Sequence, residues 1–558
     1  MTGVGTRKDP KVAVSWFEKA AMQGYARAQN DLGTIYDGGK GLPQDYSMAI
    51  RWYQAAAGQG DIRAQENLAR HYWLGLGVDK DIEKTISLYQ NPAQQGDMEA
   101  QYLLGAAYQE RAAPTDGASA FYWMSKAAEQ KYAPAQNNLG VLYAKGIGVE
   151  QNRKEAIRWY KLSAEQGVAD AQNSLGYSYL HGLGVEKNYD EAMRWFKLSA
   201  AQSYPAAENN IGSIYYEGDG VAQDYREAIT WFKKASDHGY IDAAVTLGNM
   251  YKIGLGVKQP DPNHAMSLYR FAAEQDNGRG QYELALAYRD GAGIKQDFSE
   301  AINWLKKATA NGYSVAHVAL GALYENGFGT AKNTSMAVRH YKAAAEAGDA
   351  NGQYNLALFY SRGTGLPQDY KEAVKWYRKS ASQGVPQAQH TLGWFLENGL
   401  GVEANDAEAL KWYERAAQQG VADAQTAVAR IFLAGKVGKF DYDIALRWLH
   451  RAADQGNLQA YLMLAQLYYS GKLIPRDNGQ ALHWFLLAAD KGDPSAQFQL
   501  GWMFDNSVGT DKDYTKAAYW YEKAADQGHA EALNQLGVLY QFGRGVQRDY
   551  KKAVDLYS

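Results

Sequence analysis

The chain has 558 residues, a formal net charge of −3, 46% hydrophobic residues and no cysteine. Without cysteine it has neither disulfides nor thiolate metal sites, and near-balanced charge with no long Lys or Arg run argues against a surface that neutralises a phosphate backbone. No stretch of about 18 apolar residues exists, so no transmembrane helix is expected. Nucleic acid is therefore not an expected partner, and no cofactor is called for. Lack of cysteine suits the cell envelope as well as the cytosol. The compartment stays open, with the periplasm slightly favoured.

In chain order, Gly3-Val4-Gly5, Asp9 and Trp16 read as the turn and second helix of a repeat whose first helix is missing. A regular repeat follows over residues 28–63. The next two units, near 81–134, break the pattern. In the first, Thr85 and Leu88 replace the usual Ala and Trp, and Pro92 is expected to bend or shorten its helix. In the second, Glu110-Arg111-Ala112-Ala113-Pro114 replaces a glycine pair, and Lys131 stands where Gly is usual. Residues 135–256 are regular except for Ser203. An insertion at 258–262 and departures at 276–280 make 256–280 a second irregular region, where a kink is expected. Residues 281–420 are regular, the turns at 435–439 and 471–475 are more basic, and the last two units return to pattern. The chain stops at Ser558 before its last helix would end. Residues 1–558 thus read as one array, a fragment that begins and ends mid-repeat, with no separate domain or linker.

Residues 135–170 show the unit. Ala135, Leu139, Leu142 and Tyr143 have helical spacing and form one apolar face; this is helix A. Gly146 and Gly148 supply a helix stop and a tight turn. Asn152 can cap a second helix, B, whose inner face carries Ala156, Trp159, Tyr160, Ser163 and Ala164. The cap slot holds Asp or Asn every time, from Asp9, Asp45, Asp81, Asp116 and Asn152 through to Asp549. Seven residues past the cap an indole is usual, as at Trp159, Trp195, Trp376 and Trp412. The sixth position of helix A is Gly or Ala, as at Gly140, Gly176, Ala357 and Ala429. Mid-helix Gly costs roughly 1 kcal/mol relative to Ala, so close helix approach is expected there. A hairpin this small cannot bury its own face, and its stability should come from stacking on its neighbours.

The motif AQ-x-x-LG-x-x-Y, then G-x-GV, then D-Y-x-x-A-x-x-WY-x-x-AA-x-QG resembles the Sel-one-like repeats, longer relatives of tetratricopeptide repeats. The resemblance covers essentially the whole chain. It implies an all-α, right-handed superhelical solenoid of about fifteen helix-turn-helix repeats, with helix A lining the concave side and helix B the convex side. It also implies binding of a protein in the concave groove rather than chemistry. Among bacterial relatives it suggests, first, an immunity protein that neutralises a secreted antibacterial effector such as a type VI phospholipase. The alternatives are a scaffold or adaptor for envelope or signalling complexes, and the substrate-recruiting array of an enzyme whose catalytic domain lies elsewhere.

Nothing in the sequence reads as an active site. No His pair has H-E-x-x-H spacing, the Gly-x-Gly pairs recur as turns, and the recurring carboxylates are caps. A binding face is expected at positions three, seven and ten of helix A, which share a side and vary between repeats. In the C-terminal third this face carries His390, Trp394, Glu397, Arg430, Tyr469, Phe498, Trp502 and Asp505. Aromatic residues and Arg are the usual composition of an interface hot spot. A secondary candidate surface comprises Glu66, Arg70, Trp73 and Tyr102 beside the irregular units.

Overall fold

The computed structural model describes residues 10–39, 42–438 and 440–558; Gly3, Gly5, the Asp9 cap and Lys439 lie outside them. Among the described residues there are 31 helices, numbered α1 (Pro10–Met22) to α31 (Tyr550–Tyr557), and no strand. Even-numbered helices are A helices and odd-numbered ones B helices. The fold is an all-α repeat solenoid. The chain divides into two compact units, one reaching Glu283 and taking in Ala292–Ile294, the other made of Leu284–Gly291 and Lys295–Ser558. From α1 to α15 (Pro262–Glu274) in one unit, and from α17 (Phe298–Ala310) to α31 in the other, each helix packs on its neighbours in sequence.

The cap series does what its chemistry allows. From Asp45 to Asp549 each side chain accepts main-chain N–H groups at the start of its B helix; Asp369, for example, accepts from Lys371 at 2.9 Å and Glu372 at 3.0 Å. Asp116 is the exception. The loop before it is one residue short, so Asp116 folds back onto the Ala113 N–H at 2.8 Å and forms a two-pronged pair with Arg111 at 2.6 and 2.9 Å. Arg111 also reaches Glu83, and its guanidinium holds the Asp116 carboxyl below the usual range.

The sixth-position glycines explain themselves. A Cβ on Gly140 would lie 2.7 Å from the Tyr160 ring, and one on Gly501 would lie 2.5 Å from Tyr521. The residue after the Trp slot therefore drives its ring against bare A-helix backbone. Pro92 does not shorten its helix, contrary to expectation: α5 runs Ile82–Gln94, 13 residues like most of its counterparts. Pro92 sits in the last turn, where a missing N–H costs one hydrogen bond and leaves the preceding turns intact. Thr85 in an Ala slot is fully buried, with its hydroxyl donating to the Asp81 carbonyl at 2.8 Å.

A ladder of carboxamides ties the repeats together. Gln353 in α20 (Ala350–Arg362) donates to the Ala345 carbonyl of the preceding B helix at 3.3 Å. Gln383 then donates to Gln353 at 2.8 Å and to the Gly348 carbonyl at 3.0 Å. The same pairing joins Gln166 to Gln136, Gln202 to Gln172, Gln419 to Gln389 and Gln527 to Gln497. In one repeat both partners change together: buried Glu208 meets His238 Nδ1 at 2.7 Å.

Candidate functional site

In the second unit, the A helices α22 (Pro386–Asn398), α24 (Ala422–Ala434), α26 (Leu458–Ser470) and α28 (Pro494–Asn506) carry the primary candidates, and α30 (Ala530–Phe542) is the next A helix. The structure sorts these residues into three environments. His390 and Trp394 lie on α22. Trp394 is 46% exposed and meets Phe395 edge-on at 5.3 Å. His390 lies 5.6 Å from the Tyr413 ring, and burial pushes its imidazole below the usual value.

Glu397 is not a free groove carboxylate. Its side chain is 5% exposed and accepts from Arg430 Nη2 at 2.6 Å, Lys436 at 3.0 Å and the Tyr413 hydroxyl at 3.1 Å. Arg430 first, and Lys436 with it, hold the carboxyl down at about 2 against the cost of burial. Arg430 therefore clamps one A helix to the previous one, while its guanidinium stays half-exposed. The first unit repeats this arrangement at Asp37, which accepts from Arg70 at 2.8 Å and from Tyr53 at 3.4 Å, and lies 3.3 Å from His71 Nε2. A position-ten carboxylate, the buried Tyr 16 residues on and the Arg 33 residues on form one node. This spacing was the signal that separate inspection of each position missed.

The remaining primary residues gather around an open cavity of about 700 Å³. Tyr469, Phe498 and Trp502 line it together with Gln466, Gln499 and Glu531. Tyr469 and Trp502 meet edge to face at 6.2 Å, and Phe498 is stacked on His529 at 4.8 Å. Glu531, Asn534 and Gln535 were not singled out from sequence, because α30 carries no unusual ring. Asp505 sits below the rim beside the buried Tyr521 hydroxyl, which burial first and this carboxylate second push up.

The secondary residues split as well. Glu66, Arg70 and Trp73 share α4 (Ile62–Leu74) and surround Tyr89, whose ring meets Trp73 edge-on at 6.4 Å. Trp73 Nε1 donates to Glu110 at 2.6 Å. Tyr102, on the next A helix, packs on Tyr132 at 5.4 Å. Burial, with Asp97 and Glu99 nearby, raises the Glu66 carboxyl to about 7. Among the described residues no group of three or more His, Asp or Glu side chains is placed to hold a metal, and no helix is long and apolar enough to cross a membrane.

These features define a helical repeat scaffold with side chains displayed on its A helices. The chain matches the family described as Sel1 repeat in sixteen segments, the first at residues 1–25 and 26–61 and the last at 494–529 and 530–558. It belongs to the Sel1 repeat family, whose repeats mediate protein interactions. Among solved structures it is similar to a protective antigen present in uropathogenic Escherichia coli strains displaying an SLR fold. The identity is 30% and the TM-score 0.52, over 91% of this chain and 96% of that one. A Sel1 repeat protein from Oxalobacter formigenes is 36% identical with a TM-score of 0.40, over 44% of this chain and 96% of that one. Immunity protein PA5088 from Pseudomonas aeruginosa is 21% identical with a TM-score of 0.29, over 38% and 83% of the two chains, and that likeness concerns the repeat fold alone. No curated protein matches the chain.

Proposed function

We propose that this protein works by binding another protein, without chemistry of its own, and that the A-helix face of the second unit is the contact surface. The observation that carries this reading is Trp394, an indole 46% exposed at a position that elsewhere holds Thr34, Ala106, Ser213 or Ala322. The repeat does not need a ring there, and an exposed Trp with a half-exposed Arg on the next A helix has the composition of a hot spot. His390, Trp394 and Arg430, with the rings of the α26–α28 cavity, form the proposed surface; Glu397 and Asp505 support it from beneath. The surface around Glu66, Arg70, Trp73 and Tyr102 is a second, smaller proposal.

The test is site-specific photocrosslinking in the cells that make the protein, with a benzophenone residue at 394 and, as control, at Lys161 on a B helix. Discrete protein adducts at 394 and none at 161 are expected. Equal yields at both, or none at 394, would sink the reading. Trp394→Ala should then weaken the captured pair by about 2 kcal/mol or more at unchanged melting temperature, whereas Trp412→Ala, a repeat-slot control, should lower the melting temperature. Within this reading, the family resemblance puts a secreted antibacterial effector such as a type VI phospholipase first among partners. Co-expression should rescue a bacterial host from such an effector, and growth arrest that persists across a panel of them would remove that role.

A further inference from the structure

The cavity between α26, α28 and α30 combines three features. Its wall is aromatic: Tyr469 and Trp502 stand at 87° to one another, and Phe498 is fixed between His529 and Tyr521. Its charge is negative: among the described residues that line it Glu531 is the one carboxylate, its side chain 72% exposed with His529 Nδ1 3.3 Å away, and no Lys or Arg lines the space. Arg476 lies 5.4 Å from the Tyr469 ring centre and leaves Trp502 open. Its remaining polar groups are idle: the carboxamides of Gln466, Gln499, Asn534 and Gln535 make no hydrogen bond to the described protein, unlike the paired glutamines of the ladder.

The chain's own indoles show what a ring in this scaffold normally holds. Lys307 lies 3.9 Å from the Trp304 ring centre, Lys379 lies 4.2 Å from Trp376, and Arg415 lies 4.5 Å from Trp412, each base three residues after its Trp. Three residues after Trp502 stands Asp505, and among the described residues no cation is placed over that indole. A face of negative quadrupole beside an exposed carboxylate attracts a cation. Carboxamides, with a donor and an acceptor each, match the N–H and C=O of an extended main chain.

We propose that this cavity receives an extended peptide segment of the partner and seats a lysine or arginine side chain over Trp502 with its charge toward Glu531. The proposal rests on the protein-binding reading and adds the chemistry of what is bound.

The probes are five fluorescent peptide pools with randomised flanks and a fixed centre of Lys, Arg, norleucine, citrulline or Glu, titrated against the full chain by fluorescence polarisation. The Lys and Arg pools should bind about fivefold to tenfold tighter than norleucine and citrulline, as a partly desolvated cation–π contact gives, and the Glu pool should bind weakest. Glu531→Gln, at an exposed position, should reduce that preference severalfold at unchanged melting temperature. Trp502→Leu should abolish it, and Lys161→Ala, on a B helix of the first unit, should leave it intact. Equal affinity of the norleucine and Lys pools, or an undiminished preference in Glu531→Gln, overturns the cation site. No binding by any pool overturns the peptide occupant. Crosslinking at 394 is independent of both results, so failure here and failure of the scaffold reading are distinguishable.

Discussion

Among the described residues, five other than glycine hold a left-handed backbone: Ala112, Lys131, Ser203, Asp276 and Ser507, with φ from 52° to 66°. Ser203 occupies the slot where Gly167, Gly239 and Gly384 have φ above 90°, and a Cβ at those glycines would meet nothing within 4 Å. The strain is therefore torsional, and Ser203→Gly should stabilise the protein by about 1 kcal/mol, read as a raised urea midpoint. Glu66 carries the opposite kind of liability. Its folded carboxyl is raised to about 7, chiefly by burial, from an ordinary value of 4.5. A raised carboxyl binds its proton more tightly in the folded state, so stability is highest below the ordinary value and falls as pH climbs through about 7. Melting temperatures at pH 5 and pH 8 should differ less in Glu66→Gln than in the parent. An equal difference would place the burial cost elsewhere. Glu397 works in reverse: held at about 2, its contribution is present above the ordinary carboxylate range and is lost as pH falls toward that value.

Between helices, the ring-on-glycine contact decides how close A and B approach. Gly501→Ala gains helix propensity of roughly 1 kcal/mol but puts a methyl 2.5 Å from the Tyr521 ring. Overpacking typically costs about 1–3 kcal/mol, so net destabilisation is expected in chemical denaturation. A stabilised variant would show that the ring can retreat. This contact was legible in the sequence, because Gly against the trend of propensity marks a forbidden side chain. Caps and helix order were legible for the same reason: each slot has one stereochemical task. The candidate surface was less so. Position ten varies from repeat to repeat and looked free, yet in several repeats it matches the ring 16 residues later, with Trp73 before Tyr89 and Ala144 before Tyr160 as exceptions. Beneath Tyr341 and Tyr413 it is Glu325 and Glu397, acceptors for the hydroxyl, and beneath Tyr377 it is Ser361, which shares a hydrogen bond with the Tyr377 hydroxyl. With Phe196, Phe232 and Phe485 it is Leu180, Tyr216 and Tyr469, apolar or aromatic partners. Columns compared one at a time conceal a pair. The caps of several A helices, Asp61, Asp97, Asp349 and Asp493, were hidden likewise, since other repeats put Tyr or Val there without a side-chain cap.

Within each unit, contacts run chiefly from a helix to its neighbours in sequence, so a local defect should remain local. Asp369→Ala removes two cap hydrogen bonds and should cost about 0.5–2 kcal/mol. Hydrogen exchange should accelerate in α20, α21 (Tyr370–Ser382) and α22 and stay unchanged near α29 (Tyr514–Ala525). Uniform acceleration along the unit would mean a single cooperative block.

The carboxamide ladder has one more consequence. Where a repeat reaches back to its predecessor, its glutamines bond to main-chain carbonyls, as Gln353 does to Ala345 and Gln383 to Gly348. A peptide carbonyl carries no record of which side chain hangs beside it. The ladder is therefore blind to the sequence it joins, so a repeat that is copied, dropped or shuffled keeps these bonds and has to rematch only the specific side-chain pairs, such as Arg430 on Glu397, that cross the same seam. Lineages that must track a changing partner can alter the array by splicing whole cassettes as well as by mutating residues one at a time.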